Sequence, residues 1–307
     1  MGVYILKRVL YSLLVLIGAV SVVFVVLRIV PGDPALAILG PDATSAELDA
    51  LREQLGLSRP LLEQYVSYLL DAAHLDFGPS LRLGGDAMHQ VLARMPMTAA
   101  LAVTAVLFAV IPGIALGTLA ALKPGTVIDR AVSVASLIAQ SMPSFWIGLV
   151  FILVFARGLG ILPSVGAGSP AHILLPTITL SLPFAAMVMR LTRSGLLEVV
   201  GEDYIRTARS KGLREHVVLF PHAFRNALIP IVTVIGVYFG TVLGGSVVVE
   251  KVFAWPGVGR LIVDSIGFRD YGVVQAGALL FAAIVVTVNL VVDVLYGYLD
   301  PRVRLAQ

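Results

Sequence analysis

Glu198-Val199-Val200-Gly201-Glu202-Asp203-Tyr204-Ile205-Arg206-Thr207-Ala208-Arg209-Ser210-Lys211-Gly212-Leu213 runs on to Arg225, Asn226 and Pro230 between two hydrophobic segments. Seven Lys/Arg fall between Arg190 and Asn226. The stretch predicts helix, glycine stop, second helix. Glu202 and Asp203 lie where a first helical turn favours negative charge, and Arg206, Arg209 and Lys211 lie toward the positive-favouring end. Gly212 suits a left-handed cap. Leu213, Val217, Val218 and Phe220 supply an apolar face for the second helix. Charge alone allows a solvated, inside-facing loop. The ordered run of acid, aromatic, base, small residue and glycine instead points to a preformed docking surface for a soluble partner.

Outward from this loop the chain is too apolar for water. Of 307 residues, 58% are hydrophobic and 13% charged, against about 25% charged in soluble domains; mean hydropathy is +0.94. This predicts an all-α integral membrane protein. Six transmembrane helices are expected, at 9–30, 98–122, 131–156, 173–193, 227–249 and 276–298, each near the ~20 residues a bilayer needs. The apolar run from Val9 to Leu27 is longer than a signal-peptide core and has no small-residue cleavage pattern after it, so it is expected to stay as the first span. With the N-terminus inside, the inner segments carry 13 Lys/Arg in 61 residues and the outer ones 9 in 112. The bias predicts cytoplasmic N- and C-termini and a cytoplasmic basic loop.

Three segments follow: 1–30 with the first span, 31–97 as an extracytoplasmic insertion, and 98–307 as a five-helix core containing the loop 194–226. In the insertion, Pro31-Gly32-Asp33-Pro34 ends the first span. Short amphipathic helices are expected over Ser45–Leu57, with Gly56 as a stop, and over Leu61–Leu75, packed on the rim of the bundle. Gly236, Gly240 and Gly244, like Gly113 and Gly117, recur every four residues and let helix backbones approach, within one bundle or between subunits. Prolines 112, 143, 176, 183 and 230 suggest kinks.

Enzyme chemistry finds little foothold. There is no phosphate loop of the G-x-x-x-x-G-K-[ST] type, no G-x-S-x-G, no zinc-protease histidine pair and no cysteine. No bound metal or cofactor is expected, and no nucleic-acid surface. Asn289 and Asp293 lie four residues apart near the inner end of the last span. A cation site would use such a pair; the favoured reading is a carboxylate paired with an arginine that fixes helix register. Arg28 is expected to snorkel from the outer end of the first span.

The block Asp203–Leu213, with His222, Arg225-Asn226-Ala227 and Pro230, resembles the cytoplasmic coupling loop of ATP-binding-cassette importer permeases of the dipeptide/oligopeptide/nickel family. Pro31-Gly32-Asp33-Pro34, Phe77-Gly78-Pro79-Ser80, Ser141-Met142-Pro143-Ser144-Phe145-Trp146, Trp255-Pro256-Gly257-Val258-Gly259-Arg260, Arg269-Asp270-Tyr271, and Asn289, Asp293, Tyr296 and Asp300-Pro301-Arg302 are similar to that family's other motifs. Two departures stand out. Arg206-Thr207-Ala208 replaces the wider superfamily's Glu-Ala-Ala, and Gly272 stands where the family has proline.

The resemblance implies a type I importer permease architecture in the inner membrane of a prokaryote, spanning it several times. It implies a homologous second permease in a heterodimer, two cytoplasmic ATPase subunits that hold ATP and Mg, and an extracytoplasmic substrate-binding protein. Asp203, Tyr204, Ile205, Arg206, Thr207, Ala208, Arg209, Lys211 and Gly212 would dock the ATPase, with Tyr204 and Ile205 as apolar anchors. Pro31, Gly32, Asp33, Trp255, Pro256, Gly257 and Arg260 would meet the binding protein or close the outer gate. Peptides are the expected cargo, a nickel chelate the alternative; a secondary transporter working without an ATPase is the more distant one.

Overall fold

The computed structural model describes residues 2–29, 32–212, 214, 217–218 and 224–299. Expectations resting on Pro31, Leu213, His222 and Asp300-Pro301-Arg302 lie outside these residues, as do those on the side chains of Asn226, Pro230 and Asp293. The helices are α1 (Gly2–Ile29), α2 (Pro34–Leu39), α3 (Ser45–Gln54), α4 (Leu61–Ala73), α5 (Ala87–Leu122), α6 (Val127–Ser141), α7 (Ser144–Phe151), α8 (Leu174–Val200), α9 (Asp203–Ser210), α10 (Arg225–Val252), α11 (Val258–Gly267) and α12 (Tyr271–Leu299). Among the described residues the remaining pairing is one isolated β-bridge, Pro79 to Asp86.

Five helices are long and apolar enough to cross a membrane, or six if a bent pair counts as one span. That pair falls on the expected third span, bent where Pro143 suggested a kink. Val127–Ser141 and Ser144–Gly158 meet at 105°. Pro143 has no N–H to continue α6 and pushes Met142 into extended backbone (φ −92°, ψ 131°). The second span also begins earlier than its apolar run, at Ala87, because His89, Gln90 and Arg94 interrupt the hydropathy but not the helix.

Two compact units result: Met1–Ala99 with Ala254–Val294, and Ala100–Phe253 with the end of α12. In the first, α4 lies along α1. Tyr68 and Ala72 bury against Val20 and Phe24, Tyr68 stacks on Phe24 at 5.6 Å between ring centroids, and Ser21 Oγ meets Tyr65 Oη at 2.7 Å. A second cluster joins Ala87 and Val91 to Val258, Leu261, Val273 and Ala276. The short helix α3 is set by chemistry visible in its sequence. Thr44 and Glu47 form a capping box, and Gly56 takes the left-handed backbone (φ 68°) that the following turn requires.

In the second unit α8 is the central post, packed by α6, α7 and α10. Phe184, Val188, Ala109 and Ile231 form its core, and the Phe184 ring stacks on Tyr238 at 3.9 Å.

Candidate functional site

Helix α9 hangs from the end of α8 by a tight turn in which Gly201 N–H donates to Glu198 O (3.1 Å) and Glu202 N–H to Val199 O (3.1 Å). Asp203 occupies the first turn and Arg209 the last, so both ends suit the helix dipole. Gly212, at φ 73°, donates its N–H to Arg209 O at 2.9 Å, which is the expected left-handed stop. One face of α9 belongs to its own chain. Ile205 and Ala208 bury with Leu196 and Val218, flanked by Ala121, Val199, Val200 and Phe224. Ile205 is fully buried and therefore fastens α9 to α8; it is not an anchor offered to a partner. Of the expected apolar pair, Tyr204 alone is outward, at 42% exposure. Asp203, Arg206, Thr207, Arg209, Ser210, Lys211 and Gly212 complete the exposed face. Arg206 and Asp203 approach to 3.5 Å with side chains 74% and 94% exposed, a surface pair of little energetic weight.

The post that carries α9 is fixed at two further points, the first of them not read from the sequence. Asp129, in the first turn of α6, accepts from Arg193 Nε (2.5 Å) and Nη2 (2.9 Å) and from Gly125 N–H (2.9 Å). Four residues apart on α5, Gly113 and Gly117 lie against α8. A Cβ at Gly117 would stand 2.5 Å from Met189 O, and one at Gly113 2.9 Å from Ala185 O. The close approach foreseen for glycines is therefore at this pair. Gly244 has open space beside it, while Gly236 and Gly240 are half-buried. Asn289 is exposed on α12.

The motifs at Phe77–Ser80, Trp255–Arg260 and Arg269–Tyr271 converge inside the first unit. Ser80 Oγ donates to Asp270 Oδ2 at 2.5 Å, across 190 residues, and Arg82 N–H approaches the same oxygen at 3.4 Å. Gly272 is required there, since a Cβ would lie 2.6 Å from Phe77 O and 3.3 Å from Ala87 Cβ. The backbone of Gly32 lies against the Arg269 guanidinium. Trp255 is 4% exposed and donates Nε1–H to Met97 O at 3.0 Å. Gly257 is buried and Pro256 half-buried, and Arg260 turns back to donate to Ala254 O at 2.5 Å. Asp33 caps α2 through Ala35 N–H (2.9 Å) and pairs with Arg52 (2.5 Å). These residues hold the unit together: Trp255 and Gly257 are buried in it, while the Arg260 side chain stays 35% exposed.

Residues 113–305 match the family described as binding-protein-dependent transport system inner membrane component, and residues 1–102 match its N-terminal companion. The chain belongs to this family of importer permeases. It is 43% identical over 301 residues to the glutathione transport system permease protein GsiC of Escherichia coli (strain K12), covering 98% of both chains. It is 42% identical to the GsiC protein of Salmonella choleraesuis (strain SC-B67), again over 98% of each. Two solved structures share its fold. An amino acid ABC transporter crystallised with histidines has a TM-score of 0.53 at 20% identity, over 69% of this chain and 94% of that one. The MetNI methionine ABC transporter in an inward-facing conformation has a TM-score of 0.57 at 21% identity, over 69% and 97%.

The permease is thus a non-catalytic, multi-pass inner-membrane subunit of an ATP-binding-cassette importer, working with ATPase subunits and a substrate-binding protein. Arg28 in this permease does more than snorkel. Its Nε and Nη2 donate to Gln64 Oε1 (3.3 and 3.1 Å), and its guanidinium carbon sits 4.2 Å from the Phe24 ring centroid. An arginine ending a span beside Gln64 and Tyr68 was the available signal, but the pairing of α1 with α4 is tertiary.

Proposed function

We propose that the permease carries short peptides of the glutathione type, paired with a homologous permease, two ATPase subunits and one binding protein. Both termini and α9 lie in the cytoplasm, and ATP and Mg stay on the ATPase partners. The segments 1–30, 31–97 and 98–307 serve as anchor, outer insertion and transport core. The observation that carries this proposal is the division of α9 into two faces. Ile205 and Ala208 seal one face to α8, and Tyr204, Arg206, Thr207 and Arg209 are exposed on the other. A helix fastened in this way moves with α8 when an ATPase dimer closes on its outer face.

The test is the assembled complex in liposomes, wild type against the double variant Arg206→Glu, Arg209→Glu. Charge reversal on the exposed face should abolish ATPase binding or substrate-stimulated hydrolysis while the permease still folds. Normal assembly and stimulation would refute docking at α9. The 43% identity to a glutathione permease favours a peptide cargo, and uptake of labelled glutathione and dipeptides by the same liposomes checks it.

A further inference from the structure

Helix α4 carries more apolar surface than its own unit covers. Tyr65, Tyr68, Leu69 and Ala72 lie with Val20, Phe24 and Leu279 in one cluster. Leu62, Val66 and Leu70, spaced four residues apart, form a second apolar stripe that stays 73%, 49% and 58% exposed. Glu63, Ser67 and Asp71, at the same spacing, form a third stripe, polar and exposed, in which Ser67 Oγ donates to Asp71 Oδ2 at 3.3 Å. At 3.6 residues per turn the three faces divide the helix into sectors of about a third of a turn each.

What the uncovered apolar sector meets follows from its level. Arg28 stands near one end of the apolar span Leu6–Ile29. Tyr271, at the start of α12, donates its hydroxyl to Leu27 O at 3.1 Å, so the two helix ends lie near one level. Phe24 and Val20 are about 6 and 12 Å inside Arg28, and Leu279 is about 12 Å inside Tyr271, at 1.5 Å per residue. Two spans thus agree that α4 packs below the membrane surface, close to the ~5–10 Å depth of helices that lie in a bilayer interface. Among the candidate spans α1 is the least buried, 11% against 28–56% in the others, and at this level it also exposes Val22, Val25 and Val26. The stripe on α4 continues that apolar surface.

The side chains decide between lipid and protein. Helix faces that meet other helices in a membrane are rich in small residues, whereas this stripe is Leu, Val, Leu. The polar stripe has two carboxylates and no Lys or Arg, so attraction to anionic headgroups is not what holds α4 there. We propose that the Leu62, Val66 and Leu70 face is a lipid-binding surface, seated among the acyl chains of the leaflet at the Arg28 end of α1, with Glu63, Ser67 and Asp71 turned to headgroups and water. Helix α4 is then an interfacial anchor. Through Tyr68 and Phe77, 6.4 Å between ring centroids, it holds the Phe77–Ser80 segment and the Ser80–Asp270 bond at the membrane surface. With the N-terminus cytoplasmic, as proposed above, this is the outer leaflet; the surface itself does not depend on that orientation.

The chain has no cysteine, which makes the test direct. The assembled importer, its partner subunits freed of cysteine, is placed in phosphatidylcholine nanodiscs with one nitroxide at a time on Val66→Cys, Leu70→Cys, Glu63→Cys or Ser67→Cys. All four positions are exposed, so labelling leaves the packing on α1 intact. Relaxation by oxygen should exceed relaxation by a water-soluble nickel complex at 66 and 70, with the order reversed at 63 and 67. The ratio should place 66 and 70 about 5–10 Å below the phosphates. Nickel relaxing all four positions alike would overturn the proposal. Exclusion of both reagents from 66 and 70 would overturn it in favour of a protein partner on the stripe.

Discussion

Replacing Gly117 by alanine should destabilise the permease, although alanine is the better helix former. The added Cβ would stand 2.5 Å from Met189 O and 2.7 Å from Thr192 Cβ, and neither neighbour is a flexible side-chain end. Restoring ordinary contact at about 3.4 Å would require α5 and α8 to separate locally by about 0.9 Å, in a packing that tolerates little added volume. Overpacking of this kind costs about 1–3 kcal/mol, against the roughly 0.5–1 kcal/mol that alanine returns in helix propensity. The expected net change is therefore a loss of up to about 2.5 kcal/mol. Gly113→Ala, whose Cβ would meet Ala185 O and Val188 at 2.9 Å, should cost less. Gly244→Ala meets nothing within 4 Å and should be neutral or stabilising. Thermal unfolding of the three variants in one detergent, followed by fluorescence-detected size exclusion, gives the comparison. Equal midpoints for Gly117→Ala and Gly244→Ala would refute backbone contact between α5 and α8.

Asp129→Asn should lower the unfolding midpoint by the equivalent of about 1–3 kcal/mol, because Arg193 loses its charge partner at a mostly buried place. Pairing it with Arg193→Gln should recover part of that loss, and a double-mutant cycle measures the coupling. Gly212→Val should strain the left-handed stop by about 1–2 kcal/mol and raise the ratio of ATP hydrolysed to substrate imported; an unchanged ratio would sink the rigid-lever account. At the start of α2, the Arg52 hydrogen bond holds the Asp33 carboxyl below its usual range, helped by the Ala35 N–H. A depressed carboxyl adds stability above its unfolded value of about 4 and loses it as pH falls through the lower, folded one. Amides of α2 should therefore exchange at constant intrinsic-corrected rates from pH 7 to 5 and faster only below about 4; Asp33→Asn should erase that acid-side step.

Legibility in the sequence followed the range of the interaction. The stop at Gly56, the amphipathic α4 and the Asp203–Gly212 helix are local, so residue type and spacing within about ten positions reveal them. The bend at Pro143 was half legible: proline marks a break, but the 105° angle depends on what α7 packs against. Ser80 with Asp270, Asp129 with Arg193, and Gly117 with Met189 were not legible, because each pairs residues far apart in sequence. The Trp255–Arg260 motif illustrates the consequence. Its residues are noticeable together, but the hydrogen bonds of Trp255 to Met97 O and of Arg260 to Ala254 O are not readable from it.

The misplaced Ile205 shows why an exposed-face reading of α9 needed the fold. In a short helix, residues three apart share a side, so Ile205 and Ala208 form one apolar stripe whichever way it points. Pointing outward, the stripe would give a partner an apolar anchor and leave α9 attached to α8 only through the turn at Gly201. Pointing inward, it joins Leu196 and Val218 and lets force on the exposed face reach α8 directly. A helix that transmits movement must be bound more firmly to its own chain than to its partner. Ile205→Ala should therefore loosen α9 and lower transport per ATP hydrolysed while leaving the exposed docking residues intact. Unaltered coupling in that variant would return Ile205 to the partner-facing role.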